Sequence, residues 1–136
     1  MSFAVSAALQ EAVFARLTAD AALAAIVGDA IHDAVPPGRP PDLFVLIGDE
    51  RVRDRSDMTG RGALHEFTVS VVTTEAGFAG AKRAAGAVCD ALIDAPMTLS
   101  RGRLVGLHFA RARARRTDRG ARRRIDLRFA ARVEDT

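Results

Sequence analysis

Tryptophan and tyrosine are absent from this 136-residue chain, which also has one cysteine and one lysine. Each absence removes a class of protein. A single cysteine, Cys89, excludes an internal disulfide and fits synthesis in a bacterial cytoplasm. No apolar run approaches the ~20 residues that cross a bilayer, so no membrane partner is expected. The start, Met1-Ser2-Phe3-Ala4, has neither the basic segment nor the apolar stretch of a signal peptide. The phenylalanines do not interleave with arginines, so a platform for stacking bases is missing. Helix-turn-helix and zinc-finger spacings are missing too. His32, His65 and His108 lie far apart with no cysteine or histidine at ligand spacing, so neither metal nor cofactor is expected.

What is present is arginine, unevenly spread. Residues 1–100 hold 8 basic and 13 acidic residues, whereas residues 101–136 hold 12 and 4. Such a split points to an acidic partner, a nucleic acid, or self-assembly through opposite patches. Nineteen arginines to one lysine also match the bias of a GC-rich genome, but that bias does not explain the clustering.

The basic segment reads as a long hairpin. In its second strand Ile125, Leu127, Phe129, Ala131 and Val133 alternate with Arg124, Asp126, Arg128 and Arg132. In the first strand His108, Ala110, Ala112 and Ala114 alternate with Arg111, Arg113 and Arg115. A four-residue loop, Thr117–Gly120, would set Ala110 opposite Leu127 and Ala112 opposite Ile125. Arg113 would then face Arg124, and Arg115 would face Arg122, an unfavourable arrangement without an acidic partner. Val105, Leu107 and Phe109 would fall on the arginine face. Either a β-bulge near Phe109 exchanges the faces, or something covers that patch.

The rest of the chain alternates helix and strand signals. Val5, Ala8, Leu9, Ala12, Val13 and Leu17 form a helical stripe over Ser2–Leu17. Asp20 can cap a short helix that Gly28 ends. A brief strand over Ala30–Val35, the proline loop 36–41 and an apolar strand Leu43–Ile47 follow. Asp49–Gly62 reads as a charged, mobile loop, Glu66–Thr73 as a half-buried strand, and Ala76–Ile93 as a helix that Thr74 caps. Met97–Leu99 reads as a short strand, and Glu134-Asp135 as a solvated tail. These elements predict a single α+β domain over residues 1–136. It has an antiparallel or mixed sheet of four to five strands with two main helices packed on one face.

Catalytic constellations are not legible. Cys89 sits beside Ala85 and Leu92 and reads as a packing thiol. Asp49, Glu50, Asp54 and Asp57 alternate with Arg51, Arg53 and Arg55, a self-neutralising pattern. Thr59-Gly60-Arg61-Gly62 lacks the lysine and following helix of a phosphate-binding loop. No enzyme is expected. A small basic protein binding nucleic acid without sequence preference stays open as an alternative, through Arg111, Arg113, Arg115, Arg122 and Arg124.

Several segments together resemble the tail-terminator, or tail-completion, proteins of long-tailed phages and phage-like gene transfer agents. They are the opening helix Ala7–Leu17, Ile31-His32-Asp33-Ala34-Val35-Pro36-Pro37, Asp57–Gly62 with His65-Glu66-Phe67, Gly102–Leu107, and Arg124–Phe129. The resemblance implies a virion protein at the head–tail junction. It would form a homo-oligomeric ring, a hexamer, that caps the tail tube protein, stops tube growth and joins the head–tail connector proteins, with DNA passing through. Val105, Leu107 and Phe109 are then candidates for the subunit interface. Arg51, Arg53, Arg55, Arg111, Arg113, Arg115, Arg122 and Arg124 are candidates for a partner or the DNA lumen.

Overall fold

The computed structural model describes residues 3–35, 37–56 and 60–135. The chain runs α1 (Ser6–Ala19), α2 (Ala21–Val27), β1 (Ile31–His32), β2 (Leu43–Asp54), β3 (Gly62–Thr73), α3 (Ala79–Leu92), β4 (Arg103–Thr117), a 3-10 turn (Asp118–Gly120) and β5 (Arg122–Glu134). The strands form one five-stranded sheet in the order β1-β2-β3-β5-β4. β1 lies parallel to β2 and all other pairs are antiparallel, giving the α+β fold with a mixed sheet.

The helices cover one face of that sheet. Leu9, Val13 and Leu17 of α1 share a core with Ala81, Val88 and Leu92 of α3, and with Val69, Val71, Leu127 and Phe129 of the central strands. These residues recur at helical spacing in α1 and α3 and at every second position in β3 and β5, so both periodicities bury the same layer. Asp20 caps α2 as expected, its Oδ2 accepting from the Leu23 N–H at 3.0 Å, and Gly28 closes the helix at φ +63°. Phe129 is the centre of this core. It is fully buried, stacked on Phe67 at 5.6 Å and met edge-on by Phe109 at 6.1 Å.

Several local expectations are corrected. The segment Asp49–Asp54, expected as loop, continues β2, and Glu50–Asp54 pairs with Ala63–Phe67 of β3. A register shift between Ile47 and Glu50 turns Glu50 and Val52 to the helix side and Arg51 and Arg53 to the other. Period-two order among charged residues is therefore strand, not loop. Asp57, Met58 and Thr59 lie outside the described residues, as do Ser2 at the expected helix start and Pro36 of the proline loop. Of Ala30–Val35 only Ile31–His32 pairs as strand, and Met97–Leu99 is irregular, although Leu99 is buried. Phe78, not Thr74, holds the N-cap position of α3; the Thr74 hydroxyl donates instead to Asp42 Oδ1 at 3.2 Å. The acidic end is pinned rather than solvated. Arg103 pairs with Glu134 at 2.5 Å, and Arg101 forks onto both Asp135 oxygens at 3.1 and 2.9 Å.

Candidate assembly surfaces and the basic sheet face

The hairpin keeps its predicted faces near the tip but not its predicted partners. Ala112 lies opposite Leu127 and Ala114 opposite Ile125, two residues further along β4 than the expected pairing. The turn starts one residue late. Asp118, Arg119 and Gly120 all take positive φ, and Ala121 N–H returns to Asp118 C=O at 3.0 Å. Arg113 consequently faces Asp126, not Arg124, and Arg115 faces Arg124, not Arg122.

Two β-bulges resolve the conflict at the hairpin base. The register shifts between Phe109 and Arg111, and again between Leu104 and Gly106. The first returns Phe109 and Leu107 to the helix face, opposite Phe129 and Ala131. Of the three interface candidates, Leu107 is thus packed inside its own subunit, 1% exposed, while Val105 and Phe109 stay 45% and 44% exposed. The expectation that all three share the arginine face is corrected.

β4 is an edge strand, and residues 108–114 are exposed. Phe109, Ala112 and Ala114 form one wall of an apolar groove of about 360 Å³, and Lys82, Gly86 and Cys89 of α3 form the other. Cys89 is half-buried there rather than sealed in the core; burial, and then the neighbouring Asp90 charge, raise its thiol pKa. Across the sheet the other edge is open as well. β1 covers β2 only at Val45 and Leu46, and among the described residues no strand pairs with the outer side of β2 beyond them. Here a second cavity of about 460 Å³ lies between α1 and β1, lined by Glu11, Phe14, Ile31, His32 and Asp33 among others.

The face away from the helices is basic. Strand register places Arg51 and Arg53 of β2, Arg111, Arg113 and Arg115 of β4, and Arg122, Arg124 and Arg128 of β5 on it. Arg55 lies just past β2, its N–H donating to Gly62 C=O at 2.7 Å. One carboxylate organises the centre. Asp126 Oδ1 accepts from Ser70 Oγ at 2.6 Å and Arg124 Nε at 2.7 Å, and Oδ2 lies 3.4 Å from Arg115. Burial pushes the Asp126 pKa up, but the hydrogen bonds from Ser70 and Arg124 and the two arginine charges outweigh it and hold the carboxyl below the usual range. Arg53 pairs with Glu66 at 3.0 Å. Arg111, Arg113 and Arg128, which line a cavity of about 460 Å³ on this face, have no acid at ion-pair distance among the described residues.

One polar cluster went unread in the sequence. On the helix side Glu50 accepts from Ser6 Oγ at 2.5 Å and meets the fully buried His65 at Nδ1, 3.1 Å away. The three residue types suggest a hydrolytic triad, but the order differs: serine and histidine both bond to the carboxylate, so the imidazole does not sit on the serine hydroxyl. His65 Nε2 is buried without a partner among the described residues, and the Ser6–Glu50–His65 contacts tie α1, β2 and β3 together. Burial raises the Glu50 pKa, and the hydrogen bonds from His65 and Ser6 more than reverse it. Among the described residues no group of three or more His, Cys, Asp or Glu side chains could hold a metal ion.

The sheet is covered by helices on one face, is largely basic on the other apart from a small apolar cluster of Ala30, Phe44 and Val72, and is open at both edges. Residues 11–134 match the family of tail completion protein gp17, and the chain belongs to that family. It is also similar to a chain solved in the virion of a native gene transfer agent particle. The two are 59% identical over 98% of this chain and 99% of that one, with a TM-score of 0.93. No curated protein matches it. Its role is structural, in completing a phage-type tail.

Proposed function

We propose that the chain closes into a ring, a hexamer, at the head–tail junction of a virion or gene transfer agent particle. The ring ends growth of the tail tube, joins it to the head connector and passes DNA through its centre. The protein performs no catalysis. One observation carries this reading: the main helices α1 and α3 lie on one face of the sheet, and the opposite face presents Arg111, Arg113 and Arg128 with no acid at ion-pair distance among the described residues. Subunits meeting through their flanks would turn one sheet face inward, and an inward basic face suits passing phosphates. Arg51, Arg53, Arg115, Arg122 and Arg124 share that face, with Arg55 at its edge.

The mass of the purified protein in solution, with electron microscopy of the same sample, tests the ring. A closed ring of six copies is expected. A monomer that binds DNA with steep salt dependence would instead support the small nucleic-acid-binding protein, which the same unpaired arginines favour. Replacing Arg113 and Arg128 by Ser should leave the ring intact and reduce the salt slope of DNA binding. A ring that falls apart would mean these arginines hold a neighbour.

A further inference from the structure

We propose that the two flanks of the sheet bind each other in successive subunits: the β4–α3 flank of one copy seats on the α1–β1 flank of a second copy. Phe109, 44% exposed, enters the cavity beside Phe14, which is itself 39% exposed on the receiving side. The inference rests on the ring reading only for closure of the contact into a ring.

Both features lie on the helix side of the sheet, at opposite edges. Register puts Phe109 opposite Phe129, whose side chain is in the helix-side core, and α1 contributes Glu11 and Phe14 to the receiving cavity. A translation and rotation within the plane of the sheet therefore brings them together. Charge matches where the flanks meet. In the helix layer the donating flank carries Lys82 and the receiving flank Glu11 and Asp33, all exposed. Two copies placed with the same flank together would instead oppose Arg111 and Arg113 to themselves, which is costly. The contact joins two different surfaces, so it repeats head to tail and closes only if the rotation permits. It also covers both open edges of the sheet with one interaction.

Cross-linking decides it. In a Cys89→Ser background, one protein carries Ala112→Cys on β4 and another carries Ala7→Cys on α1; both alanines are exposed. With a short bismaleimide, the linked species should form in the mixture and not in either protein alone. A protein with both cysteines should give a ladder of linked multiples. Lys82→Glu should cut the yield of linked product at least tenfold, and Glu11→Lys with Asp33→Lys on the receiving copy should restore part of it. A link formed by Ala112→Cys alone, or no link in the mixture, overturns the contact. Rings in the electron microscope without the Ala7–Ala112 link would overturn the contact and leave the ring standing. Linked open chains that never close would uphold the contact and overturn the ring.

Discussion

The two faces of this sheet are written by the same two strands, β3 and β5, and behave as different materials. Toward the helices, Phe67, Val69 and Val71 meet Ile125, Leu127 and Phe129, all buried and apolar. Away from them, the buried Ser70 meets Asp126, and Thr68 meets Arg128, which has no acid at ion-pair distance among the described residues. Adjacent residues of one strand thus serve opposite ends. Stability resides on the covered face, where removal from water contributes about 25 cal/mol per Å² of apolar surface. The charged part of the other face is free to vary, since the buried apolar side chains there, Phe44, Val72 and Ala30, form a small separate cluster at its β1–β2 end.

The most direct way to break that contrast is to truncate neighbours in β5. Phe129→Ala removes a fully buried ring packed between Phe67 and Phe109, and should cost about 3–5 kcal/mol. Arg128→Ala, one residue away, should change stability by no more than about 0.5 kcal/mol. Urea unfolding measures both. Similar losses would mean that the bare face is part of the folding core.

Gly102 probes the seam where the two regions meet. It precedes β4 at φ +74°, and a Cβ there would lie 2.6 Å from the Glu134 carbonyl oxygen and 3.1 Å from Val5. Both contacts are tight, one is backbone, and the φ disfavours any other residue. Gly102→Ala should therefore cost about 1–3 kcal/mol by thermal or urea melt. A neutral result would show that the base of the hairpin yields easily, and that its bulges are not fixed by the α1 packing.

The same contrast explains what the sequence disclosed. Leu9, Val13 and Leu17, Phe67, Val69 and Val71, and Ile125 to Val133 were legible because apolar periodicity records burial directly. The pattern fails where the period is carried by charges. Glu50, Arg51, Val52 and Arg53 alternate as strand, yet their composition imitates a loop. The paired tie of Glu50 and His65 is invisible because its partners are 15 residues apart in sequence and meet only through the β2–β3 register. Bulges at Val105 and Ala110 shift the faces by a residue each, and alternation alone revealed only that a conflict existed near Phe109. The surfaces were half legible: arginine clustering marked the bare face, while the receiving cavity by Phe14 depends on how α1 lies against β1.

The finest test of the contrast is acid. Asp126 on the bare face and Glu50 on the covered one both hold their carboxyls below the ordinary range. A depressed carboxyl contributes stability that is fully present above its unfolded pKa, about 4, and disappears as pH falls through the lower folded value. Asp126→Asn deletes that contribution for one group and leaves Glu50 to titrate in both proteins. The stability difference between wild type and variant should thus be constant from pH 7 to about pH 5 and shrink as pH falls below about 4. Partly exposed ion pairs contribute about 0–1 kcal/mol, so the whole change is small and needs paired urea melts at each pH. Added salt should shrink the difference at pH 7 as well, since Arg124 and Arg115 remain open to solvent on one side. A difference that stays the same down to pH 2 would mean that the Ser70–Asp126–Arg124 cluster acts through its hydrogen-bond geometry and not its charge. The bare face would then be built for shape rather than for electrostatics.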